Sequence, residues 1–168
     1  MATQITNVSE IDWDHWQPEQ TATLLFVVQN NHVLLIVKKR GLGAGNINGP
    51  GGKLDPGETP LECAIRETQE ELLITPEGVS FVAELLFHAY DFPRIHAFAY
   101  IATGFTGVPQ ETDEAIPVWY PFERIPFERM WQDDRYWLPR VLKGERLKGK
   151  FTFKGETLVD HTIDTITA

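Results

Sequence analysis

The order of apolar and polar residues along the chain predicts a mixed sheet and two helices. Two β-branched, apolar runs at 23–29 and 32–38 flank the turn dipeptide Asn30-Asn31, which predicts a hairpin. A helix is predicted within 133–143, where Pro139 must bend it or confine it to part of that span. The other predicted strands lie at 80–90, 95–103, 116–120 and, as a closing hairpin, 150–160. We therefore expect one α+β or α/β domain.

The best-marked helix follows a glycine-rich loop at 41–57. Thr59 suits the N-cap, Pro60 suits the first helical position, and Glu62 completes a capping box. The turn residues Pro76-Glu77-Gly78 predict a break before the next strand. The side that we expect to be buried carries residues at helical spacing: Leu61, Ala64, Ile65, Thr68 and Leu72.

Composition and charge exclude several classes of function. Of the 168 residues, 42% are hydrophobic, which is enough for a sizeable core in one domain. Lys plus Arg total 15 and Asp plus Glu total 24, and the net charge of −9 argues against a binder of nucleic-acid polymers or anionic membranes. A small anionic substrate is still compatible with this charge if a divalent cation or a local basic patch balances it.

The start of the chain and its cysteine content indicate the compartment. Residues 1–22 are polar and acidic, so we expect an N-terminal extension that packs Trp13 or Trp16 onto a domain of residues 23–168. The single Cys63 excludes an internal disulfide, no apolar run is long enough to span a membrane, and the N-terminus lacks signal-peptide features. We expect a soluble, cytoplasmic protein that acts as a monomer.

Three glutamates lie on one side of the well-marked helix. Glu67, Glu70 and Glu71 form like-charged pairs three and four residues apart, and each pair destabilises a helix by roughly 0.2–0.5 kcal/mol. A cation among them would remove this repulsion, and a hard ion such as Mg²⁺, or Mn²⁺ in its place, prefers oxygen ligands. Taken alone, the spacing equally fits a solvated acidic helix face. Arg66 lies four residues from both Glu62 and Glu70 and could hold the cluster in place.

The wider pattern around these glutamates is G-x5-E-x7-R-E-x-x-E-E, here Gly52, Glu58, Arg66, Glu67, Glu70 and Glu71. It resembles the Nudix box, the loop and helix of hydrolases that act on nucleoside diphosphates linked to another moiety. The resemblance implies the Nudix fold, an α/β/α sandwich in which helices flank a central mixed sheet. Glu58 is then expected to orient Arg66 or a water. Leu73 replaces the glycine that normally closes the box, so we expect the helix to end without a left-handed residue.

Segments outside the box resemble the oxidised purine nucleoside triphosphatases, the MutT-like 8-oxo-dGTP diphosphatases. These segments are KKRGLGAGNINGPGGK (38–53), GVPQETDE (107–114), IPFERMWQDDRYWLP (125–139) and KFTFKGETLVDHT (150–162). The resemblance implies metal-dependent hydrolysis of triphosphates such as 8-oxo-dGTP and 2-oxo-dATP to the monophosphate and pyrophosphate, which sanitises the nucleotide pool. The alternatives are a Nudix pyrophosphatase for another nucleoside diphosphate derivative or an ordinary dNTP, and a nucleotide-binding module without turnover.

The same resemblance implies the site residues. The metal ligands are Glu67, Glu70, Glu71, Glu114 and the Gly51 carbonyl, and the general base is Glu70, Glu71 or Glu114. The expected substrate-binding residues are Thr23, Lys38, Asn48, Pro50, Gly51, Gly52, Lys53, Trp131, Gln132, Asp133 and Asp134. Leu42 stands where close relatives often carry an aromatic residue.

The adjacent carboxyls of Asp133 and Asp134 suit the recognition of an oxidised purine. Two neighbouring acids cannot easily both ionise, so one keeps its proton and donates a hydrogen bond while the other accepts. Trp131 offers a flat wall for the base. The alternatives are an ordinary helix N-cap for the two aspartates and core packing for Trp131 and Trp137.

Overall fold

The computed structural model describes residues 6–41 and 44–166. The strands of these residues form one mixed sheet. In these residues the strands are β1 (Gln20–Gln29), β2 (His32–Lys38), β3 (Ile47–Asn48), β4 (Gly51–Lys53), β5 (Thr75–Ala89), β6 (Ile95–Thr106), β7 (Ala115–Pro121), β8 (Leu147–Lys154) and β9 (Thr157–Thr165). The helices are α1 (Pro60–Leu72) and α2 (Asp134–Leu142). Both predicted hairpins are confirmed, whereas Leu42 lies outside the described residues.

The strand order gives β1 several partner strands. The order is β3-β2-β1-β6-β5-β8-β9, with β4 paired to β1 and β7 paired to β2. β1 is parallel to β6 and β5 is parallel to β8, while the other pairs are antiparallel. β1 changes partner along its length, because residues 27–29 pair with β2 and residues 22–24 pair with β4. This change brings Gly51 and Gly52 beside Thr23.

Alternating side chains of the central strands pack on both faces of the sheet. On one face, the ring centroid of Phe26 lies 5.9 Å from that of Trp137 on α2, and both rings are fully buried. On the other face, Leu25 and Val27 belong to a cluster that contains Leu72 of α1. The sheet therefore lies between two helical layers. The predicted α+β class with a mixed sheet flanked by helices is confirmed.

Helix α1 begins as predicted and buries Ala64, Thr68 and Leu72 as expected, but its buried side extends to Cys63 and Glu71. The Glu62 N–H donates to Thr59 Oγ1 at 3.1 Å, and the Thr59 N–H donates to Glu62 Oε1 at 2.9 Å. The predicted buried stripe was wrong at Leu61, which is exposed. The buried positions of the helix are Cys63, Ala64, Thr68, Glu71 and Leu72. The helix is turned this way because Cys63 packs on β1, and the turn places a carboxylate on the buried side.

The region after α1 also differs from the sequence expectation. Leu73 itself is left-handed, with φ 61° and ψ 33°, and its N–H donates to the Gln69 carbonyl at 2.9 Å. The expected end without a left-handed residue was therefore wrong. The backbone adopts the left-handed turn even with leucine there, at a cost of about 1–2 kcal/mol for a non-glycine residue. Pro76 lies within β5 instead of breaking the chain. Residues 75–81 of β5 pair with β6 alone among the described strands, and such an edge tolerates proline.

Helix α2 and the residues before β1 complete the two ends of the structure. Pro139 lies inside α2, which fills most of the predicted span. Trp16 packs onto the domain as predicted, and its Nε1 donates to His88 Nδ1 at 3.2 Å. Across residues 6–41 and 44–166, we find no helix with the length and apolar content needed to cross a membrane.

Candidate active site

Two glycines let the backbone of β4 lie against β1 and α1. A side chain on Gly51 would overlap the Thr23 carbonyl, and one on Gly52 would overlap the Glu67 carboxylate. Gly51 therefore needs to be glycine because backbone lies against it, whereas a side chain at position 52 would displace the Glu67 carboxylate. The Gly51 N–H donates to Glu71 Oε1 at 3.3 Å, which joins the strand to the helix.

Three carboxylates meet beside these glycines, and we call them the glutamate trio. Glu67 and Glu71 lie one turn apart on α1, Glu114 precedes β7, and each offers an oxygen within 4.8 Å of the others. Carboxylates this close repel one another unless a proton or a cation intervenes. Oxygen ligands suit a hard divalent ion, so this donor set fits a divalent metal.

Thr112 holds the third member of the glutamate trio in position. Its Oγ1 donates to the Glu71 carbonyl at 2.8 Å and accepts from the Glu114 N–H at 3.3 Å. One hydroxyl thereby links the end of α1 to the segment before β7. Sequence reasoning missed Thr112, although it lies two residues before Glu114 in a segment rich in polar turn residues.

Burial changes the proton affinity of the glutamate trio. Burial raises the pKa of Glu71 to about 8, with a further rise from the neighbouring charge of Glu67. Burial also raises the pKa of Glu67 to about 7, against the attraction of Arg66. Lys38, whose charge lowers the pKa of Glu71, offsets part of this effect. The site therefore retains protons near neutral pH until a cation replaces them.

Arg66 joins the glycine-rich loop to α1. Its Nε and Nη2 donate to the two oxygens of Glu58 at 2.6 and 2.9 Å, and its Nη1 donates to Glu70 Oε1 at 2.7 Å. The hydrogen bonds from Arg66 lower the pKa of Glu58 to about 2. The predicted pairing with Glu70 is confirmed, whereas Glu62 is used by the capping box. Glu70 is half-exposed and is not one of the three residues whose oxygens converge.

A cleft of about 230 Å³ extends from the glutamate trio to α2. Its lining includes eight predicted substrate-binding residues, together with Glu71: Thr23, Lys38, Asn48, Gly51, Gly52, Trp131, Asp133 and Asp134. The residues expected to hold phosphate and metal and those expected to hold the base therefore share one cavity.

Three predicted substrate residues are not part of that lining. Gln132 Oε1 accepts from the Leu158 N–H at 2.8 Å, which links α2 to β9. Lys53 is exposed, and its carbonyl accepts from Arg66 Nη2 at 3.2 Å. The Pro50 carbonyl accepts a hydrogen bond from the backbone of β1 at 2.9 Å. The three residues therefore connect neighbouring segments of the chain and do not line the cleft.

Asp133 and Asp134 form a buried pair at the start of α2, only 3% and 4% exposed. Asp133 Oδ2 accepts from Trp137 Nε1 at 2.8 Å, so this side chain does not serve as the simple N-cap that the sequence allowed. Burial raises the pKa of both carboxyls, and the neighbouring charge of Asp133 raises that of Asp134 further. The raised pKa values and the side-chain hydrogen bond between the two carboxyls favour a proton shared by the pair, which is the arrangement that the sequence suggested.

An aromatic wall of the cleft was missed by sequence reasoning. Phe87, Phe92 and Phe153 line the cleft. The ring of Trp131 meets those of Phe92 and Phe153 edge-on, with centroids 6.0 and 6.2 Å apart. The parallel pairing of β5 with β8 brings Phe87 and Phe153 together, with ring centroids 6.2 Å apart. The Phe92-Pro93 dipeptide in a strand connection was the one local signal, and it predicted only a turn.

The fold and the site together define a Nudix hydrolase domain. Residues 18–141 match the family model described as the NUDIX domain, and the chain belongs to that family. It is 39% identical over 148 residues to the oxidized purine nucleoside triphosphate hydrolase of Danio rerio, covering 86% of this chain and 94% of the relative. The corresponding protein of Mus musculus is 37% identical over 140 residues, covering 82% of this chain and 88% of the relative.

A solved structure supports the same assignment. The crystal structure of a MutT protein from Bacillus halodurans superposes with a TM-score of 0.77 at 27% identity, over 86% of this chain and 97% of that chain. The resemblance inferred from the sequence, to Nudix hydrolases and to the oxidised purine nucleoside triphosphatases, is thereby confirmed.

Proposed function

We propose that the protein hydrolyses oxidised purine nucleoside triphosphates, such as 8-oxo-dGTP and 2-oxo-dATP, to the monophosphate and pyrophosphate. One observation carries the proposal: a single cleft joins a glutamate trio suited to a cation with a buried pair of adjacent aspartates, whose raised pKa values favour a shared proton. The names of the two animal relatives support this substrate class. The reaction removes damaged precursors from the nucleotide pool.

A divalent cation, Mg²⁺ with Mn²⁺ as its substitute, is part of the proposal. The convergent oxygens of Glu67, Glu71 and Glu114 support it, and we add Glu70 and the Gly51 carbonyl as further ligands. Bound there, the ion supplies neutralisation of phosphate charge and activation of an attacking water.

Residues of the protein supply the general base, keep the glutamates at their spacing and bind the phosphates. The general base in this proposal is Glu70, Glu71 or Glu114. Arg66 and Glu58 keep the glutamates at their spacing by tying α1 to the loop before it. The phosphates are bound by Lys38, Lys53 and the backbone of Gly51 and Gly52.

The other end of the cleft recognises the base. Protonated Asp134 donates a hydrogen bond and Asp133 accepts one, which suits a ring whose donors and acceptors oxidation has changed. Trp131 provides the flat wall for the base. The remaining pocket residues in the proposal are Thr23, Asn48, Pro50 and Gln132.

A substrate panel tests the proposal directly. We expect kcat/KM for 8-oxo-dGTP and 2-oxo-dATP to exceed that for dGTP and dATP by at least about tenfold. Hydrolysis should require added Mg²⁺ or Mn²⁺ and stop with EDTA. Equal kcat/KM for oxidised and ordinary nucleotides, or preference for a diphosphate derivative such as ADP-ribose, would remove the substrate assignment. Nucleotide binding without release of pyrophosphate would instead indicate a nucleotide-binding module without turnover.

We further propose that the protein acts as a monomer in the cytoplasm, with no polymeric nucleic acid or membrane as partner. The net charge of −9 and the single Cys63 support this setting. Residues 23–168 form the catalytic domain in this proposal, and residues 1–22 are an extension. Size-exclusion chromatography with light scattering measures the state in solution, and a dimer mass would contradict the monomer.

A further inference from the structure

The loop between β5 and β6 forms one side of the cleft, and we call residues 90–94 the wall loop. Phe92 and Pro93 of this loop line the cleft. The Phe92 ring packs edge-on against Trp131. The position of the wall loop therefore limits the space in which our proposed function places the purine.

Residues before β1, together with its first residue Gln20, bind the end of the wall loop. The Arg94 N–H donates to Glu19 Oε1 at 2.9 Å, and the Arg94 carbonyl accepts from the N–H groups of Glu19 and Gln20 at 2.8 and 3.1 Å. Arg94 Nε donates to the Gln17 carbonyl at 2.9 Å. These four hydrogen bonds hold both the backbone and the side chain of Arg94, directly after Pro93.

The start of the wall loop is held from the same side. The hydroxyls of Thr6 and Tyr90 lie 2.8 Å apart. Trp16 Nε1 donates to His88 Nδ1, two residues before the loop. We call residues 6–19 the N-terminal segment, and its contacts bracket the wall loop at both ends.

The N-terminal segment is itself anchored on the sheet. Val8 is only 5% exposed, and its N–H donates to Asp160 Oδ2 of β9 at 2.8 Å. Trp13 Nε1 donates to the Val8 carbonyl at 3.0 Å, and Lys150 Nζ lies 5.6 Å from the centre of a Trp13 ring. An element anchored in this way can hold a neighbouring loop in one position.

We propose that the N-terminal segment is a positioning element for the purine pocket, which lowers the Kd for the base by holding the wall loop. A loop already held in place loses less conformational freedom when a ligand binds. Residues 6–17 lie outside the matched family region, which begins at residue 18. The proposal rests on the proposed function, because it requires a purine in the cleft. The contacts above involve the wall loop, β5, β8 and β9, and the glutamate trio lies elsewhere, so kcat should be unaffected.

Glu19 offers a matched pair of variants. Glu19→Ala removes the acceptor for the Arg94 N–H, whereas Glu19→Gln keeps a side-chain oxygen there. Loss of the negative charge alone should matter little, because the ion pair of Glu19 with Arg94 is half-exposed. Trp16→Phe independently removes the donor to His88 and keeps an aromatic ring. Glu123→Ala, at an exposed site in the turn after β7, is the control.

The readouts separate binding from turnover. Isothermal titration without metal measures the Kd of 8-oxo-dGMP, the product of the proposed reaction, and steady-state kinetics measures kcat with 8-oxo-dGTP. We expect Kd to rise about fivefold in Glu19→Ala and in Trp16→Phe. We expect kcat to stay within twofold of wild type in both. Glu19→Gln and Glu123→Ala should match the wild-type Kd.

Each contrary result has a definite meaning. An unchanged Kd in both Glu19→Ala and Trp16→Phe would overturn the positioning role while the proposed function stands. A fall in kcat with no change in Kd would also overturn it, because the segment would then act on the chemistry. Wild-type protein that binds dGMP as tightly as 8-oxo-dGMP would contradict the proposed substrate, and the positioning role would fall with it.

Discussion

The two acidic groups of the cleft deal with crowded negative charge in opposite ways. The glutamate trio joins Glu67 and Glu71 of α1 with Glu114 from a distant part of the chain, and its oxygens converge on a common point. The aspartate pair is local, because Asp133 and Asp134 are neighbours at the start of α2, where burial raises the pKa of both carboxyls.

The difference lies in what each group needs from outside. The aspartate pair needs no cation, because its raised pKa values favour a retained proton and Asp133 accepts a hydrogen bond from Trp137. Among the described residues, the Gly51 N–H donates to Glu71, while Arg40 and Arg66 lie 3.5 and 3.7 Å from oxygens of Glu114 and Glu67. The pKa values of Glu67 and Glu71 are raised in spite of these contacts, so the glutamate trio needs a cation to stabilise its charges. Crowded carboxylates in different surroundings thus supply the metal-binding end and the base-recognising end of our proposal.

The largest expected effect comes from the glutamate trio. Glu71→Gln removes a buried carboxylate from the proposed metal site, and we expect kcat to fall by about 10³-fold because several kcal/mol of charge stabilisation are lost. Pyrophosphate release with Mg²⁺ measures the loss. His96→Ala, which alters a histidine bound to Glu84 on the strands, is the control and should keep its activity. Equal activity of the two variants would show that the glutamate trio is not needed for catalysis.

The aspartate pair should affect affinity more than turnover. In Asp134→Asn the pair no longer shares a proton, and we expect KM for 8-oxo-dGTP to rise by about 10- to 100-fold, as one or two buried hydrogen bonds are lost. The kcat at saturation should change by less than about threefold, because the trio is intact. Asp164→Asn, at an exposed position on β9, controls for the loss of one charge. A fall in kcat with constant KM would contradict base recognition by the pair.

The pH dependence of stability should distinguish the two groups further. In the unfolded chain these carboxyls titrate near 4, whereas in the folded protein Glu67 and Glu71 hold protons up to about 7 and 8, and Asp134 also titrates well above its ordinary value. The folded state therefore binds more protons, so the free energy of unfolding of the metal-free protein should fall as pH rises from 4 to 8.

Mg²⁺ should reverse only that part of the pH-dependent loss of stability that comes from the glutamate trio. Thermal unfolding at pH 5, 6.5 and 8, with EDTA or with Mg²⁺, measures both contributions. We expect the increase in Tm on adding Mg²⁺ to grow with pH, because the ion competes with protons for Glu67 and Glu71. Asp134→Asn should flatten the pH dependence that persists in Mg²⁺. An increase in Tm that is independent of pH would show that the ion binds elsewhere.

The smallest expected effect tests the turn that ends the helix of the glutamate trio. Leu73 is left-handed and 52% exposed, so Leu73→Gly relieves an unfavourable backbone conformation and loses little packing. We expect a gain of about 1 kcal/mol, or an increase in Tm of about 2–4 °C, with unchanged kcat. Leu61→Gly, at another exposed leucine of α1 but in right-handed helix, should instead lower Tm. A lower Tm in Leu73→Gly would mean that the leucine side chain stabilises the turn.

Features encoded within a few residues could be predicted from the sequence alone. The capping box of Thr59 and Glu62, the hairpin around Asn30-Asn31 and the spacing of the glutamates on α1 depend on short-range backbone geometry and helical periodicity. The interaction between the carboxyls of Asp133 and Asp134 was predictable for the same reason, because the two residues are neighbours in the chain.

Features that depend on which elements meet were decided by the tertiary structure. The packing of Cys63 on β1 turned α1 so that Glu71 is buried and Leu61 is exposed. The pairing of β5 with β8 brought Phe87 to Phe153, and the packing of Trp131 completed the aromatic wall. Thr112 links the end of α1 to Glu114 of the glutamate trio. Local periodicity carries no information on such contacts, because they form between segments far apart in the chain and are selected by the packing of the whole core.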